Sequence, residues 1–552
     1  MKRTLLTFFD RNAYPVLLLL FCVWIGVGVF PLTCYESDSM HMTAGCSVMY
    51  NEGITFPPAY SYFYDMQPLI VYTVVVLRHL LPWFTCEQIY CAFTALSAYM
   101  LIFGSLRFVY RLTGAHRLLI LLTLFFLPES YACAMYPNSS APAMAFFIWA
   151  LCLMLDGRYV WAVLLMCVAP LYRIDIVIVY PVIFVLLLFR GVPAGRSLGI
   201  SALAAVSVVA FVGTACWLLK ADPVGNTLNS YSSFNAGMQY AGQVKFAVYT
   251  FYTIVSIVLL PAGVWLMCRE RKFVLLAVCL LPVALQHFMF RNTGCAAKHW
   301  LYLLPFVAVM CVYGWTFFIG LSKRIPCVRY TIVILLAVYL FVAVRFTVPP
   351  ALAAVSKSYV ALDTQEGPFL PLLSETSTPF RFRIGIGAGQ LVPTADECMV
   401  ISGAAFYPFY IHSYKSHKEN MRREAMDFAN TLSDYDMVAL EWGGKMYFQN
   451  LLLDDGWHLD RPDGGSSLYV FTKGDRTIRC FGIDKDIPKG DTDMLYACLQ
   501  KFAGSRPVLI VPETESRAYM LGQLADQGKI IRRTERCWQL KPVPVSSAGS
   551  GR

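Results

Sequence analysis

Polar and apolar positions divide the chain into two regimes. Up to about residue 348, long apolar runs alternate with short polar joints. Runs of about 20 residues are long enough to cross a bilayer's hydrocarbon core as helices. They are placed at 14–33, 88–109, 117–133, 141–156, 159–172, 174–190, 197–219, 246–268, 273–290, 300–321 and 329–348, about 11 spans in all. Beyond residue 350 the apolar stretches shorten and change period. Met399–Ile401, Met437–Leu440, Leu468–Phe471 and Val508–Val511 suggest strands, whereas Met421–Leu432, Met494–Phe502 and Ala518–Gln527 suggest helices. Such alternation predicts an α/β domain. The expected fold class is an α-helical polytopic membrane domain over 1–349 with a C-terminal α/β domain over 350–545 and a disordered, low-complexity tail at 546–552.

One stretch does not fit a span. Residues 68–84 are moderately apolar but contain Arg78, His79 and Pro82. They are expected to form an interfacial helix; the alternative is a twelfth span. Charge separates the two readings. With the N-terminus inside and 68–84 not crossing, the inward joints 1–13, 107–117, 156–158, 190–196, 269–272 and 322–329 hold 15 Lys and Arg against 3 Asp and Glu. The remaining positions before residue 351 hold 7 against 8. This is a positive-inside pattern, and a twelfth span would put Arg107, Arg111 and Arg117 outside. The same count makes the α/β domain extracytoplasmic and the N-terminus cytoplasmic. Met1, Lys2 and Arg3 precede a first run that lacks a small-residue cleavage site, so that run is expected to be a retained span.

Composition agrees with this class. Of 552 residues, 57% are hydrophobic and 14% charged, and the net charge is +10; an average soluble protein carries about 25% charged residues. An ordinary soluble enzyme and a disordered chain are both excluded. Residues 351–552 carry 23 basic against 24 acidic residues, so the basic surplus belongs to the membrane part. No basic stripe lies on a soluble face, and nucleic-acid binding is not expected. Many of the 18 cysteines fall in apolar runs, and no CxxC pair with zinc spacing appears. Cys34 and Cys46 form one candidate disulfide. Gly385–Gly389 is glycine-rich without a clear following helix, so no nucleotide site is expected there.

The outward joints carry the candidate chemistry. The first, 34–87, opens with Glu36, Ser37 and Asp38, two carboxylates at the membrane surface. A carboxylate there can take a proton from an acceptor or ligate a divalent metal; it can equally cap a helix. Asp65 follows an aromatic cluster as a second candidate ligand, so Asp38 and Asp65 are the possible metal positions. Arg173 and Asp175 sit between two apolar runs, where ionisable groups are costly and are paired or functional. Arg173 is suited to hold a phosphate through its planar fork. Arg291, Lys298, His299 and Tyr302 flank a late span, where cations can bind a phosphate leaving group or anchor the interface.

Glu36-Ser37-Asp38, the small-residue helix through Ala44-Gly45, the segment Asp65–Leu69, Arg173 after a mid-chain span and Lys298–Pro305 together resemble the GT-C superfamily of membrane glycosyltransferases. Within it the chain is similar to the protein mannosyltransferase and lipid A aminoarabinose transferase group, over roughly residues 10–320. The resemblance implies a polyprenyl-phosphate-linked sugar as donor and inversion at the anomeric carbon. It also implies Asp38 as base and Arg173, assisted by Lys298 or His299, at the donor phosphate. Glu36, Asp65, Asp175, Arg291 and Tyr302 are the remaining substrate-binding candidates. The chain departs from the family where Tyr136-Pro137-Asn138-Ser139-Ser140 stands without the second acidic residue often found there. The loop 220–245 carries Asp222 and a polar run instead of a His. The expected function is sugar transfer at the outer face of a plasma (inner) membrane, to a lipid, glycan or protein acceptor. A transporter or flippase for a lipid-linked saccharide is the alternative. A receptor acting through its tail would need a ligand site in 351–552, and none is evident there.

Overall fold

The structure, a computed structural model, describes residues 2–34, 37–53, 67–127, 137–223, 254–290, 301–325, 437–440, 452–460, 468–483, 490–503, 508–511, 515–534 and 537–540, with scattered positions elsewhere. Most of the span expected at 329–348, the elements expected at 399–401 and 421–432, the glycine-rich 385–389 and the tail 546–552 lie outside the described residues.

The first part is a helical bundle. Its helices are α1 (Lys2–Val29), α2 (Ser37–Glu52), α3 (Pro68–Leu80), α4 (Cys86–Thr113), α5 (Arg117–Phe126), α6 (Ser140–Leu155) and α7 (Tyr159–Tyr172). These are followed by α8 (Val182–Phe189), α9 (Ala194–Leu219), α10 (Ile254–Arg269), α11 (Phe273–Phe290) and α12 (Leu304–Arg324). Among the described residues three helices are long and apolar enough to cross a membrane: Cys86–Thr113, Ala194–Leu219 and Leu301–Arg324. The other apolar helices are 10–17 residues long.

Helix α4 is the hub, packing against α1, α2, α3, α5, α6 and α12. Its start is fixed by a capping box: the Thr85 hydroxyl accepts from the Gln88 amide at 3.1 Å and the Gln88 side chain accepts from the Thr85 amide at 3.0 Å. Two otherwise unpaired helix-start donors are satisfied in this way. Gly114 ends α4 with φ +62°, a left-handed conformation that glycine adopts without a Cβ clash.

The run expected as one span over 174–190 is not a continuous helix. Ile174–Val179 forms a 3-10 turn, and α8 starts only after Pro181. A proline supplies no amide to the preceding turn and crowds its carbonyl, so the run breaks there. Helix α3 buries Ile70, Val71, Val74 and Val75. The Arg78 guanidinium folds back onto the Pro82 and Phe84 carbonyls and lies over the Tyr50 ring.

Side-chain bonds gather the joints into two sets. Arg107 and Arg111, one turn apart on α4, bind Asp156 at 2.6 and 2.5 Å. Arg190 donates to the Met154 carbonyl at 3.1 Å and the Tyr159 hydroxyl at 2.8 Å. The joints around 107–117, 156–158 and 190–196 therefore meet at one end. The joints around 137–140, 173–175 and 302 meet separately and build the site described below, while those around 33 and 87 meet each other.

The C-terminal part contains a seven-stranded sheet of order β2-β3-β4-β1-β5-β7-β6. Its strands are β1 (Met437–Leu440), β2 (His458–Asp460), β3 (Leu468–Lys473), β4 (Arg476–Gly482), β5 (Val508–Val511), β6 (Ile530–Thr534) and β7 (Cys537–Leu540). The central β4-β1-β5 pairs are parallel and the flanking pairs antiparallel. Helices α13 (Thr492–Ala503) and α14 (Glu515–Asp526) contribute Leu495, Leu499, Leu521 and Leu524 to a core with Ala439, Phe481 and Ile510.

This part is seated on α2. The Ser47 hydroxyl donates to the Asp454 carboxylate at 3.1 Å, and Asn51 Nδ2 donates to the Leu453 carbonyl at 3.1 Å. Leu452, Leu453 and Trp457 join the apolar cluster of the bundle. A second seat lies at the end of α1, where the Lys415 ammonium donates to the Val29 carbonyl at 2.8 Å and His412 Nδ1 lies 2.8 Å from the Phe30 carbonyl oxygen. Burial pushes the Lys415 ammonium below its ordinary pKa, against an opposing pull from Cys91, Cys34 and Glu87. The Cys34–Cys46 disulfide considered from the sequence does not form. Both thiols are free, and Cys34 Sγ instead lies 3.8 Å from Cys91 Sγ, because the chain leaving α1 packs on α4.

Candidate active site

The site is assembled where α2, α6, the 3-10 turn and the start of α12 come together. Helix α7 carries Pro170 in its last turn and ends with Arg173 in an extended conformation, φ −164°. Just before it, the Tyr172 ring stacks on Phe93 and Phe146 at centroid distances of 5.7 and 5.3 Å. This aromatic stack fixes the backbone that presents Arg173.

Arg173 Nε donates to both Asp175 oxygens, at 3.0 and 2.8 Å, and Nη1 donates to the Ser139 hydroxyl at 3.3 Å. The Tyr302 hydroxyl donates to Asp175 Oδ1 at 2.5 Å. Asp175 is 4% exposed and Tyr302 fully buried. A carboxylate so deeply buried is tolerable only because a guanidinium and a hydroxyl satisfy it.

The network continues toward α2. The residues beside Ser139 are held by Thr94, whose hydroxyl donates to the Asn138 carbonyl at 3.4 Å, and by the Ala141 amide, which donates to the Asn138 side chain at 2.9 Å. The Ser39 hydroxyl donates to the Pro137 carbonyl at 2.6 Å. Asp38, in the first turn of α2, is the chain neighbour of Ser39. The α2 start, the 137–140 segment, Arg173–Asp175 and Tyr302 thus form one connected polar assembly, although they lie far apart in sequence.

Of the residues expected from the sequence, Arg173, Asp175 and Tyr302 are brought together; Asp38 is connected to them only through its neighbour Ser39, which binds the 137–140 segment. Glu36, Asp65, Arg291, Lys298 and His299 lie outside the described residues. Among the described residues no group of three or more His, Cys, Asp or Glu is arranged to hold a metal ion. Sequence reasoning missed Ser39, Asn138 and Ser139. The 137–140 segment was notable only for lacking an acid, yet its hydroxyl and carbonyls connect Arg173 to α2.

An apolar cavity of about 720 Å³ opens next to this network. Ile174, between Arg173 and Asp175 in sequence, lines it together with Tyr180, Val208, Val212 and Trp217, and Asp222 lies at its rim. The cavity follows α9, where Ser201 to Trp217 spans about 24 Å at 1.5 Å per residue. Its walls are α7, the 3-10 turn, α8 and α9.

Asp175→Ala is expected to destabilise the bundle by about 3–5 kcal/mol, since it leaves the Arg173 charge and the Tyr302 hydroxyl without their acceptor. Asp175→Asn, which keeps an acceptor oxygen, is expected to lose less. Denaturation midpoints of the two variants in detergent check the order.

No family model matches the chain, and no curated protein matches its sequence. Solved structures do. ArnT from Cupriavidus metallidurans bound to undecaprenyl phosphate aligns with a TM-score of 0.58 at 13% identity, covering 98% of this chain and 100% of that one. The same protein in the apo state aligns with a TM-score of 0.57 at 14% identity, covering 96% and 98%. ArnT is the lipid A aminoarabinose transferase of the GT-C superfamily. The likeness covers nearly the whole chain and is one of fold: the protein has the ArnT fold.

Proposed function

We propose that the protein is an integral-membrane glycosyltransferase that moves a sugar from a polyprenyl-phosphate donor to an acceptor at the outer face of the plasma (inner) membrane. One observation carries the reading: on the ArnT fold, a buried Arg173–Asp175–Tyr302 network adjoins both the start of α2 and an apolar cavity about 720 Å³ in volume. The cavity suits an isoprenoid chain and the cation beside it suits a phosphate, the two ends of a polyprenyl phosphate. The solved ArnT carries undecaprenyl phosphate, a ligand of this class.

In this mechanism Asp38 takes the proton from the acceptor hydroxyl or amine as the acceptor atom attacks the anomeric carbon. The bond from that carbon to the phosphate oxygen breaks with inversion, and polyprenyl phosphate departs. Asp175 and Tyr302 hold the Arg173 guanidinium in place, and Arg173, with Lys298 or His299, stabilises the charge gathering on the leaving phosphate. The acceptor is a lipid, glycan or protein, and the C-terminal part, seated on α2, recruits it or gates its approach. No step is assigned to a divalent metal.

Lipid profiling of a strain lacking the protein tests this directly. The expected result is accumulation of one polyprenyl-phosphate sugar, consumed when the protein is restored. Unchanged lipid-linked sugars, together with no release of polyprenyl phosphate by the purified protein, would exclude the transferase reading. Accumulation on one leaflet without any chemical transfer would favour the flippase.

A further inference from the structure

Glu87 stands outside the network described above, yet its carboxylate is aimed at the chain that leads into Asp38. It is the second residue of α4, is 2% exposed, and belongs to the turn whose start the Thr85–Gln88 capping box fixes. Helix N-termini favour a carboxylate. Its Oε1 accepts from the Cys34 amide at 2.6 Å and from the Thr33 hydroxyl at 3.0 Å. The backbone just upstream is held by Lys415 at Val29 and His412 at Phe30. Downstream, Ser39 binds the Pro137 carbonyl. Asp38 therefore lies between two tethers, one at Cys34 and one at Ser39, with only residues 35–38 between them.

We propose that Glu87 is a positioning residue for the transfer reaction: its two hydrogen bonds to Thr33 and Cys34 fix where the chain enters α2 and so set the place of Asp38. The inference rests on Asp38 being the base of the proposed transferase. The bland alternative is that Glu87 serves only as a buried counter-charge for Lys415, whose ammonium feels it electrostatically. The two roles make opposite demands. Positioning needs an acceptor oxygen at the full reach of the side chain and does not need the charge. A counter-charge needs the negative charge and tolerates a shorter reach.

The full-length protein in lipid nanodiscs separates them. Glu87→Gln keeps the length and the acceptor oxygen, and is expected to retain kcat to within about threefold. Glu87→Asp keeps the charge but withdraws the oxygen by one methylene. It is expected to lose about tenfold or more in kcat with donor KM unchanged, since small displacements of a reacting group cost rate heavily. Hydrogen–deuterium exchange of the peptide over 33–42 is expected to quicken in Glu87→Asp and not in Glu87→Gln. The reverse order, with Asp tolerated and Gln impaired in rate and in exchange, would overturn the inference in favour of the counter-charge. Equal, wild-type kcat and exchange in both variants would also overturn it. The exchange readout needs no turnover. If the wild-type protein transfers no sugar, the transferase reading falls, and exchange alone still decides whether Glu87 tethers this segment.

Discussion

Asp38→Asn is expected to lower turnover by roughly 10²–10⁴-fold, the usual contribution of a positioned general base, while leaving the fold and donor affinity intact. The substitution is nearly isosteric but removes the ability to accept a proton. It also separates the catalytic reading from the bland one. Asp38 falls in the first turn of α2, where a carboxylate can serve only to satisfy helix-start amides. Asn does that about as well as Asp, so a mere capping role predicts an unchanged rate. Initial rates of polyprenyl-phosphate release, paired with the denaturation midpoint, decide the matter. Wild-type turnover in Asp38→Asn would return the residue to a capping role and shift the search for a base elsewhere on the 34–87 loop.

The second large effect is structural. Helices α10 and α12 approach so closely that a Cβ added at Gly263 would overlap the Met310 carbonyl oxygen, and one added at Gly314 would overlap the Leu259 carbonyl oxygen. The obstructing atoms are backbone, which no rotamer change can move aside. Each glycine faces the backbone of the other helix, Gly263 at Met310 and Gly314 at Leu259, and a small residue at such a crossing lets apolar helices meet backbone to backbone. Gly263→Leu and Gly314→Leu are each expected to cost about 3 kcal/mol or more, the upper range for overpacking. Both lie away from the polar assembly, so the loss should appear as reduced monodisperse yield and a lower denaturation midpoint. A soluble, wild-type-like Gly314→Leu protein would contradict the close approach. Gly314→Ala, with its smaller added volume, should fall between.

Much of the fold is legible in the sequence because the apolar runs carry it. The ends of α6, α7, α9 and α11 fall close to the expected limits, and β5 falls on Val508–Val511 as expected. What fails has identifiable causes. The run over 174–190 is apolar between Asp175 and Arg190, and within that stretch only Pro181 betrays that it contains a 3-10 turn and a short helix. Strands β4 and β6 were missed because Arg476, Arg479, Arg532 and Arg533 interrupt the apolar alternation. They are specified by their pairing: β4 lies between its hairpin partner β3 and the distant β1, with Met437 opposite Arg479, and β6 pairs with β7. The site divides in the same way. Arg173, Asp175 and Tyr302 stand out because ionisable or hydroxylated residues at the edges of apolar runs need a reason. Ser39, Asn138, Ser139 and Glu87 do not stand out: a polar residue in a polar joint is ordinary until the fold shows what it touches. The capping box at Thr85 could locate the helix start, but nothing local connects Glu87 to Cys34, 53 positions away.

Lys415 and Val29 are 386 positions apart, which gives the seating of the C-terminal part a meaning in time. At roughly 5–20 residues per second, a ribosome needs about 20–80 s to make that length of chain. For that interval the first helix and the acidic segment after it stand in the membrane without their final supports at Val29 and Phe30. The segment after the first helix is thus among the first synthesised and among the last to gain its supports. A nascent chain stalled before residue 412 would have made its bundle helices but would lack both of these supports for the chain that leads into α2.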